Sequence, residues 1–129
     1  MKELNISTNS RTEFVDCSRL IAEAIEEWGM DSGTLTVYVP HTTAGITINE
    51  NADPDVLDDM EAALDKLVPW RAGYKHAEGN AAAHVKASMM GSSAQLIVEN
   101  GRIKRGTWQG IYFCEFDGPR QRKIWVAQA

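Results

Sequence analysis

Apolar residues recur at helical spacing along three stretches of the chain, and clear start and stop signals flank the first two. The first helix is expected to begin at Asp16 or Ser18, either of which can cap it, and to end at Gly29. The second is expected to begin at Asp53-Pro54, with the acid at the N-cap, and to end at Pro69. Its buried stripe is expected to be Val56, Leu57, Met60, Leu64 and Leu67.

The third helix is expected to run from about Asn80 to Gly91, after an irregular stretch at 69–79. Its large apolar residues are expected to face inward, and these are Val85, Met89 and Met90. Another face, at spacings of three or four residues, carries Asn80, His84, Ser88 and Gly91. That face is too small and polar for ordinary core packing, so we expect it to contact a ligand, a partner or water.

Alternating apolar and polar residues predict strands in the rest of the chain. Residues 2–15 indicate an opening strand or hairpin, 34–39 a half-buried strand, and 43–49 its continuation or an antiparallel partner. Asn100-Gly101 suits a type I′ turn between two strands. Two more strands are expected at Ile111–Phe116 and Lys123–Ala127, around the turn Asp117-Gly118-Pro119. The pattern predicts one compact α+β domain over residues 1–129, mostly antiparallel sheet with about three helices.

The composition is that of an ordinary globular protein, with 43% hydrophobic and 24% charged residues. No apolar run approaches the roughly 20 residues of a membrane span, and the first residues lack the apolar segment of a secretory signal. The two cysteines, Cys17 and Cys114, form no CxxC motif. We therefore expect a cytoplasmic protein with reduced thiols, which are poor candidates for a metal pair.

Charge is divided unevenly along the chain. Residues 1–65 hold 14 acidic and 3 basic residues, and residues 66–129 hold 4 acidic and 10 basic ones, which together give the net charge of −5. The division favours either an acidic rim that binds metal beside a basic rim that binds phosphate, or simply charged outer faces. Nucleic-acid binding is not expected, because no basic stripe with interleaved aromatic residues occurs.

All three histidines fall in polar, glycine-containing segments. His41 lies in PHTTAG, and His76 and His84 lie in HAEGNAAAH. Three histidines with an open fourth position suit a catalytic metal site, so His41, His76 and His84 are candidate ligands for zinc, magnesium or manganese. Neither HxH nor HExxH occurs, and the alternatives are acid–base groups or plain surface residues.

Two other constellations are candidate parts of a site. Asn49 and Glu50 precede the second helix and could offer oxygen ligands to a hard cation, whereas Asp53 is explained as a cap. The glycine loops Gly91-Ser92-Ser93 and 106–110 could cradle a phosphate, with Arg102 and Arg105 to neutralise it. Thr107 and Gln109 are the polar groups of the second loop. Alternatively, Gly110 marks a bulge or a close strand crossing, and Trp108 is a packing anchor.

Several blocks of the sequence resemble the YjbQ family of small uncharacterised proteins. They are SAQLIVENGRIKRGTWQGI (93–111), HTTAGITINENADPDVLDD, HAEGNAAAHVKASMMGSS and EFDGPRQRK, which matches the family's closing strand pair. They occur in the family's order and cover the chain from about residue 10 to its end, with no motif residue missing.

The resemblance implies a compact α+β subunit that assembles as a homotrimer. It also implies a weak, secondary thiamine-phosphate synthase activity, which joins a pyrimidine methyl diphosphate to a thiazole phosphate and releases pyrophosphate. Matched onto the family's motifs, the first candidates are His41, Asn49, Glu50, His76, Asn80 and His84. We expect His41, Glu50 and His84 to be catalytic. The expected substrate-binding residues are Asn49, Asn80, Ser88, Arg102, Arg105, Thr107 and Gln109.

Three functional hypotheses follow. The first is a metal-assisted enzyme that acts on a phosphorylated small molecule, with no organic cofactor and no nucleic-acid or membrane partner. The second is a non-catalytic trimeric module that binds a metal or a metabolite. In the third, the polar face of the last helix is simply buried at a trimer interface.

Overall fold

Residues 1–129 are all described by the structure, which is a computed structural model. The chain forms three helices, α1 (Ser18–Trp28), α2 (Pro54–Leu67) and α3 (Ala81–Met90). It also forms eight strands, β1 (Lys2–Ser7), β2 (Glu13–Asp16), β3 (Gly33–Tyr38), β4 (Ala44–Glu50), β5 (Ser93–Glu99), β6 (Arg102–Lys104), β7 (Gln109–Glu115) and β8 (Gln121–Gln128). None of the helices has the length and apolar character needed to cross a membrane.

The strands form two antiparallel sheets. The larger has the order β1-β8-β3-β5-β6, and the smaller has the order β2-β7-β4. This arrangement confirms the α+β fold and the mostly antiparallel pairing expected from the sequence. The Asn100-Gly101 turn is also confirmed, because both residues have positive φ and Glu99 pairs with Arg102 across it.

The main core fills the space between the two sheets. The larger sheet contributes Leu35, Val37, Leu96, Val98, Ile124 and Val126, the smaller Ala44, Ile46, Ile111 and Phe113, and α1 contributes Ile21, Ala24 and Ile25. The other face of β7 packs on α2 and α3, where Tyr112 and Cys114 meet Leu64, Ala83 and Ala87. Strand β7 is therefore buried on both faces, which explains its near-continuous apolar sequence.

The expected relation between the strands at 34–39 and 43–49 is wrong, because the two strands belong to different sheets. Residues 43–49 do form a strand, but β4 pairs with β7 in the smaller sheet and not with β3. The last two strands do not pair either, since β7 lies in the smaller sheet and β8 lies between β1 and β3. The turn after β7 therefore crosses from one layer to the other.

The expected inner faces of α2 and α3 are partly wrong. Leu64 is buried as expected, but Leu67 is 72% exposed at the end of α2. On α3, Val85 and Met89 are exposed and only Met90 packs partly against the core. The buried face is instead formed by small residues and a lysine, namely Ala82, Ala83, Lys86 and Ala87. The Lys86 ammonium is paired there with Asp65 of α2, which compensates for the burial of its side chain.

The alanine face allows α3 to lie very close to β4. A β-carbon added at Gly45 would lie 2.8 Å from the carbonyl oxygen of Gly91 and 2.9 Å from the β-carbon of Met90. The backbone also links the two elements, since the Ile46 N–H donates to the Gly91 carbonyl. This close approach fixes the end of α3 relative to the strand that follows His41.

We expect Gly45→Ala to destabilise the fold by about 1–3 kcal/mol, because the added methyl group meets backbone and β-carbon atoms that cannot rotate away. Gly106→Ala is the matched control, since its β-carbon would lie 3.4 Å from the flexible Gln109 side chain. Urea unfolding of both variants measures the difference. Equal stability of the two variants would contradict the close packing of α3 on β4.

Candidate functional site

The candidate site begins where β3 leaves the larger sheet. Tyr38 is the last residue of β3 to pair with β8, opposite Trp125, and Pro40 carries no N–H with which to continue the ladder. Beyond this point the side chain of His41 provides the hydrogen-bond acceptor for β8. Its Nε2 accepts a hydrogen bond from the backbone N–H of Lys123, at 2.9 Å. The imidazole thus satisfies a strand N–H that β3 no longer reaches.

A cleft of about 660 Å³ opens beside this junction. It is lined by His41, His76 and His84, with Glu78, Asn80, Asp117, Arg120, Arg122 and Trp125 among the other side chains. The structure therefore brings together the three histidines and Asn80, although they come from a loop before β4, a loop before α3, and α3 itself. Ser88 lines a smaller adjoining cavity with His41 and His84.

The rings of His76, in the loop before α3, and His84, in α3 itself, contact each other edge to face. Their ring centroids are 5.3 Å apart and the rings are nearly perpendicular. The neighbouring Glu78 carboxylate lies 3.9 Å from Nε2 of His76. His84 is half-buried and His76 is exposed, so both rings are accessible from the cleft.

Asn80 is held at the start of α3 with one polar atom left over. Its Nδ2 donates to the Asp117 carboxylate at 2.8 Å, and its side chain makes no capping hydrogen bond to the helix. The Oδ1 atom is buried and has no hydrogen-bond partner. A buried acceptor without a partner is costly, so it marks a place where a ligand donor or a cation would be stabilised.

A buried ion pair forms the floor of the cleft. Glu115 of β7 is 0% exposed, and it receives two hydrogen bonds from the Arg122 guanidinium of β8. The Thr8 hydroxyl donates to Glu115 at 2.8 Å, and Arg122 also donates to the Thr43 hydroxyl at 2.8 Å. Both carboxylate oxygens of Glu115 and two of the three guanidinium nitrogens of Arg122 thus have partners, as burial of two charges requires.

Burial and hydrogen bonding shift the pKa of the Glu115 carboxyl in opposite directions. Burial raises the pKa of the Glu115 carboxyl, but the hydrogen bonds from Arg122, from the Asp117 backbone N–H and from Thr8 lower it more. The resulting pKa lies below the usual range, so Glu115 is ionised at neutral pH.

His41 is shifted toward its neutral form. Burial and, after it, the nearby Arg122 charge lower the pKa of His41 below its ordinary value of 6.5. Because Nε2 accepts from Lys123, the proton of the neutral ring is on Nδ1. His41 therefore presents a hydrogen-bond donor, and binding a metal through Nδ1 would require moving that proton to Nε2, which would break the hydrogen bond from Lys123.

The candidate metal ligands do not form a complete ligand set within one chain. No group of three or more His, Cys, Asp or Glu side chains converges on a point that could hold a metal ion. The chain offers the His76–His84 pair and the unpartnered Asn80 Oδ1, so a further ligand would have to come from a substrate, from water or from another subunit. Metal ligation by these histidines stays a prediction.

Several expected site residues lie away from the cleft. Asn49 and Glu50 are at the far end of β4, where they pair with Gly110 and Gln109. At about 3.3 Å per residue, the length of β4 places them about 20 Å from the His41 end. Asn49 donates to the Met60 sulfur, and the Gln109 side chain accepts from the Gly106 N–H in the turn that also contains Thr107. These residues do not join the histidines within one chain.

Arg102 and Arg105 lie in a different cavity, with Ser18 and Arg19 of α1. The glycine loops are also apart, because Gly91 is hydrogen-bonded to Ile46 near the start of β4, whereas Gly110 pairs with Asn49 near its end. Gly110 is a place of close approach, since an added β-carbon would lie 2.9 Å from the β-carbon of Asn51.

Three residues that shape the cleft were not expected from the sequence, namely Glu115, Asp117 and Thr43. Glu115 carried a usable signal, because it follows a buried apolar run and its alternation places it on the inner face with Ile111 and Phe113. The cysteines behave as expected of inert buried thiols. Burial raises the pKa of Cys17 to about 12, and it also raises the pKa of Cys114.

We expect Arg122→Met to destabilise the fold by about 3–5 kcal/mol, because it leaves the buried Glu115 charge without its partner. The double variant Glu115→Leu/Arg122→Met should recover much of this loss. Lys123→Met is the control, since it removes the neighbouring exposed cation that pairs with Glu3. Chemical denaturation measures all three variants. If Arg122→Met lost no more stability than Lys123→Met, the assigned role of the pair would be wrong.

The His41 shift predicts a pH dependence of stability. Because the folded pKa is below 6.5, the unfolded chain binds more protons, and the free energy of unfolding falls as pH drops from about 7 to about 5. His41→Gln retains an acceptor for the Lys123 N–H but cannot titrate. We expect it to show a flatter profile in thermal unfolding across this range. A slope identical to that of the wild type would assign the effect to other groups.

Comparison with known proteins places the chain among a set of close relatives. The protein YugU of Bacillus subtilis is 54% identical over 127 residues, covering 98% of this chain and 96% of that protein. A UPF0047 protein of Methanocaldococcus jannaschii is 50% identical over 121 residues, covering 94% of this chain and 88% of its own length.

Solved structures agree with the fold described above. A crystal structure from Clostridium acetobutylicum, of the YjbQ/UPF0047 family, has a TM-score of 0.97 and 54% identity, with 100% of both chains covered. One from Thermus thermophilus has a TM-score of 0.94 and 37% identity over the full length of both chains. The family model described as UPF0047 protein YjbQ-like matches residues 2–129. The chain therefore belongs to the YjbQ-like family UPF0047.

Proposed function

We propose that the cleft is the active site of a metal-assisted enzyme that acts on a phosphorylated small molecule. One observation carries the proposal: three histidines from three separate segments line the same cleft as Asn80, whose buried Oδ1 lacks a partner. Histidines that gather at a concave, polar surface are candidates for catalysis or metal binding.

In this proposal His76 and His84 would hold a divalent ion such as zinc, manganese or magnesium, with Asn80 Oδ1 beside them. When bound, the ion would polarise a phosphoryl oxygen and neutralise negative charge on the substrate. His41 has a different task. Its Nδ1–H would donate a hydrogen bond to the substrate, because the hydrogen bond from Lys123 fixes the ring and its tautomer.

The charge of the cleft suits an anionic substrate after local rearrangement. Arg120 lines the cleft and is half-exposed, and it is bound only to Asp117, through its carboxylate and its backbone carbonyl. A phosphate could share this guanidinium, because the Arg120 side chain is 53% exposed and only its Nε and Nη2 are bound to Asp117. Arg122 also lines the cleft, and it would contribute mainly through its charge, since Glu115 and Thr43 already bind its Nε and Nη2.

The transfer implied by the family resemblance, formation of thiamine phosphate with release of pyrophosphate, stays a candidate reaction. It needs cationic groups around a leaving diphosphate, which the histidine pair and Arg120 could supply. Assembly as a trimer also stays a proposal. It is supported by large apolar side chains left exposed on one chain, among them Ile97 and Trp108. Such assembly could bring Glu50 of one subunit toward the cleft of another.

We expect the purified protein to bind close to one divalent ion per chain, and His84→Ala to lose both the ion and turnover while it still folds. Elemental mass spectrometry on tag-free protein gives the metal content, and a panel of phosphorylated substrates gives turnover. Lys75→Ala is the control, because it removes an exposed cation beside His76 that does not line the cleft.

The alternatives predict other results. Metal and substrate binding without any turnover would favour the non-catalytic binding module. Full activity in His84→Ala would remove this cleft from catalysis altogether. A metal-free protein that still turns over substrate, with activity lost in His84→Ala, would leave the histidines as acid–base groups.

A further inference from the structure

A second cavity of about 440 Å³ lies between α1 and the β5–β6 hairpin. Its lining includes three guanidinium groups, Arg19, Arg102 and Arg105, against a single carboxylate, Asp16. It lies well away from the histidines. Ile111, which contacts this cavity through Ser18, is four residues from Glu115 on β7, and that spacing is about 13 Å.

The three arginines are not neutralised by strong ion pairs. Arg102 has no acidic partner, and the only partner of the Arg105 guanidinium is the Ser18 hydroxyl, at 3.2 Å. Arg19 lies 3.7 Å from Glu23, but its side chain is 94% exposed, so this pair is weak in water. The cavity therefore has an excess of positive charge, with three guanidinium groups against the one carboxylate of Asp16.

Ser18 adds an observation of a different kind. Only 9% of this residue is exposed, and its Oγ accepts from the Ile111 N–H at 3.1 Å and from Arg105 at 3.2 Å. A hydroxyl has two acceptor positions and one proton, and no acceptor for the Ser18 proton exists in the chain. A buried donor that faces a cationic cavity without an acceptor calls for an anionic ligand.

The N-terminus of α1 contributes to the positive electrostatic potential of this cavity. Ser18 is the first residue of α1, whose first turn has no acidic residue and whose N-cap, Cys17, makes no side-chain hydrogen bond. The positive end of the helix dipole points toward this region, and the Asp16 carboxylate offsets part of it by accepting the Ser18 N–H at 2.9 Å. Together with the arginines and the hydroxyl, it matches the oxygens of a phosphate group, which accept several hydrogen bonds at once.

We infer that this cavity is a second anion-binding site, which takes the phosphate group of a small molecule separately from the histidine cleft. The site does not depend on the function proposed for the cleft. Arg102 and Arg105, expected from the sequence to serve the same substrate as the histidines, serve a different binding event in this arrangement.

The test is a titration of ¹⁵N-labelled protein with inorganic pyrophosphate, followed by amide chemical shifts and repeated by calorimetry. We expect shifts in residues 16–22 and 101–105, and an affinity about tenfold weaker in Arg102→Ala, which removes charge-assisted hydrogen bonds. Lys104→Ala is the matched control, because it removes a cation from the same strand that does not line the cavity. Its affinity should stay close to that of the wild type.

Two outcomes would overturn the inference. One is a set of shifts confined to the histidine cleft, which would leave the proposed function standing. The other is equal weakening in Arg102→Ala and Lys104→Ala, which would mean that pyrophosphate responds to net charge only. His84→Ala should bind pyrophosphate at the second cavity with unchanged affinity. The test of this cavity therefore remains valid even if the function proposed for the cleft is wrong.

Discussion

The buried pair of Glu115 and Arg122 is the constraint on which the rest of the cleft depends. One partner belongs to each sheet, so the pair joins the two layers at the edge of their shared core. Its influence continues outward, because Glu115 accepts from the Asp117 N–H and the Asp117 carboxylate accepts from Asn80 and Arg120. The position of α3, and with it His84, is thus tied to a charge inside the sandwich. A rigid foundation of this kind is what a binding site needs in order to hold side chains in place.

His41 combines structural and chemical tasks that usually belong to different residues. Its Nε2 completes the hydrogen bonding of β8 where Pro40 ends β3, and burial beside Arg122 keeps it neutral. The same bond decides which nitrogen carries the proton. His76 and His84 have no comparable structural duty, since they contact each other and open space. The histidines are therefore not equivalent, although the sequence presents all three in similar polar, glycine-containing segments.

Local signals in the sequence predicted local structure well, and failed where distant parts of the chain compete. The caps at Asp53 and Gly29, the Asn100-Gly101 turn and the alternating strands all depend on neighbouring residues, and the structure confirms them. The pairings of β4 and β8 depend on which sheet each strand joins, which alternation cannot decide. The prediction of the inner face of α3 was wrong because α3 lies too close to Gly45 for large side chains between them. Alanines therefore pack there, and Val85 is exposed. The cleft was found through its histidines, but its floor was not, because pairing between Glu115 and Arg122 is visible only once the sheets are stacked.

Strand β7 is buried on both faces, and its position late in the chain has a consequence for synthesis. It is the central strand of the smaller sheet, and β8 lies between β1 and β3 in the larger one. Neither sheet can be completed until these last two strands have left the ribosome, although β1 and β2 emerged long before. Until then the growing chain carries unpaired strand edges, and such edges invite aggregation. The many pairings between distant residues also favour slow folding.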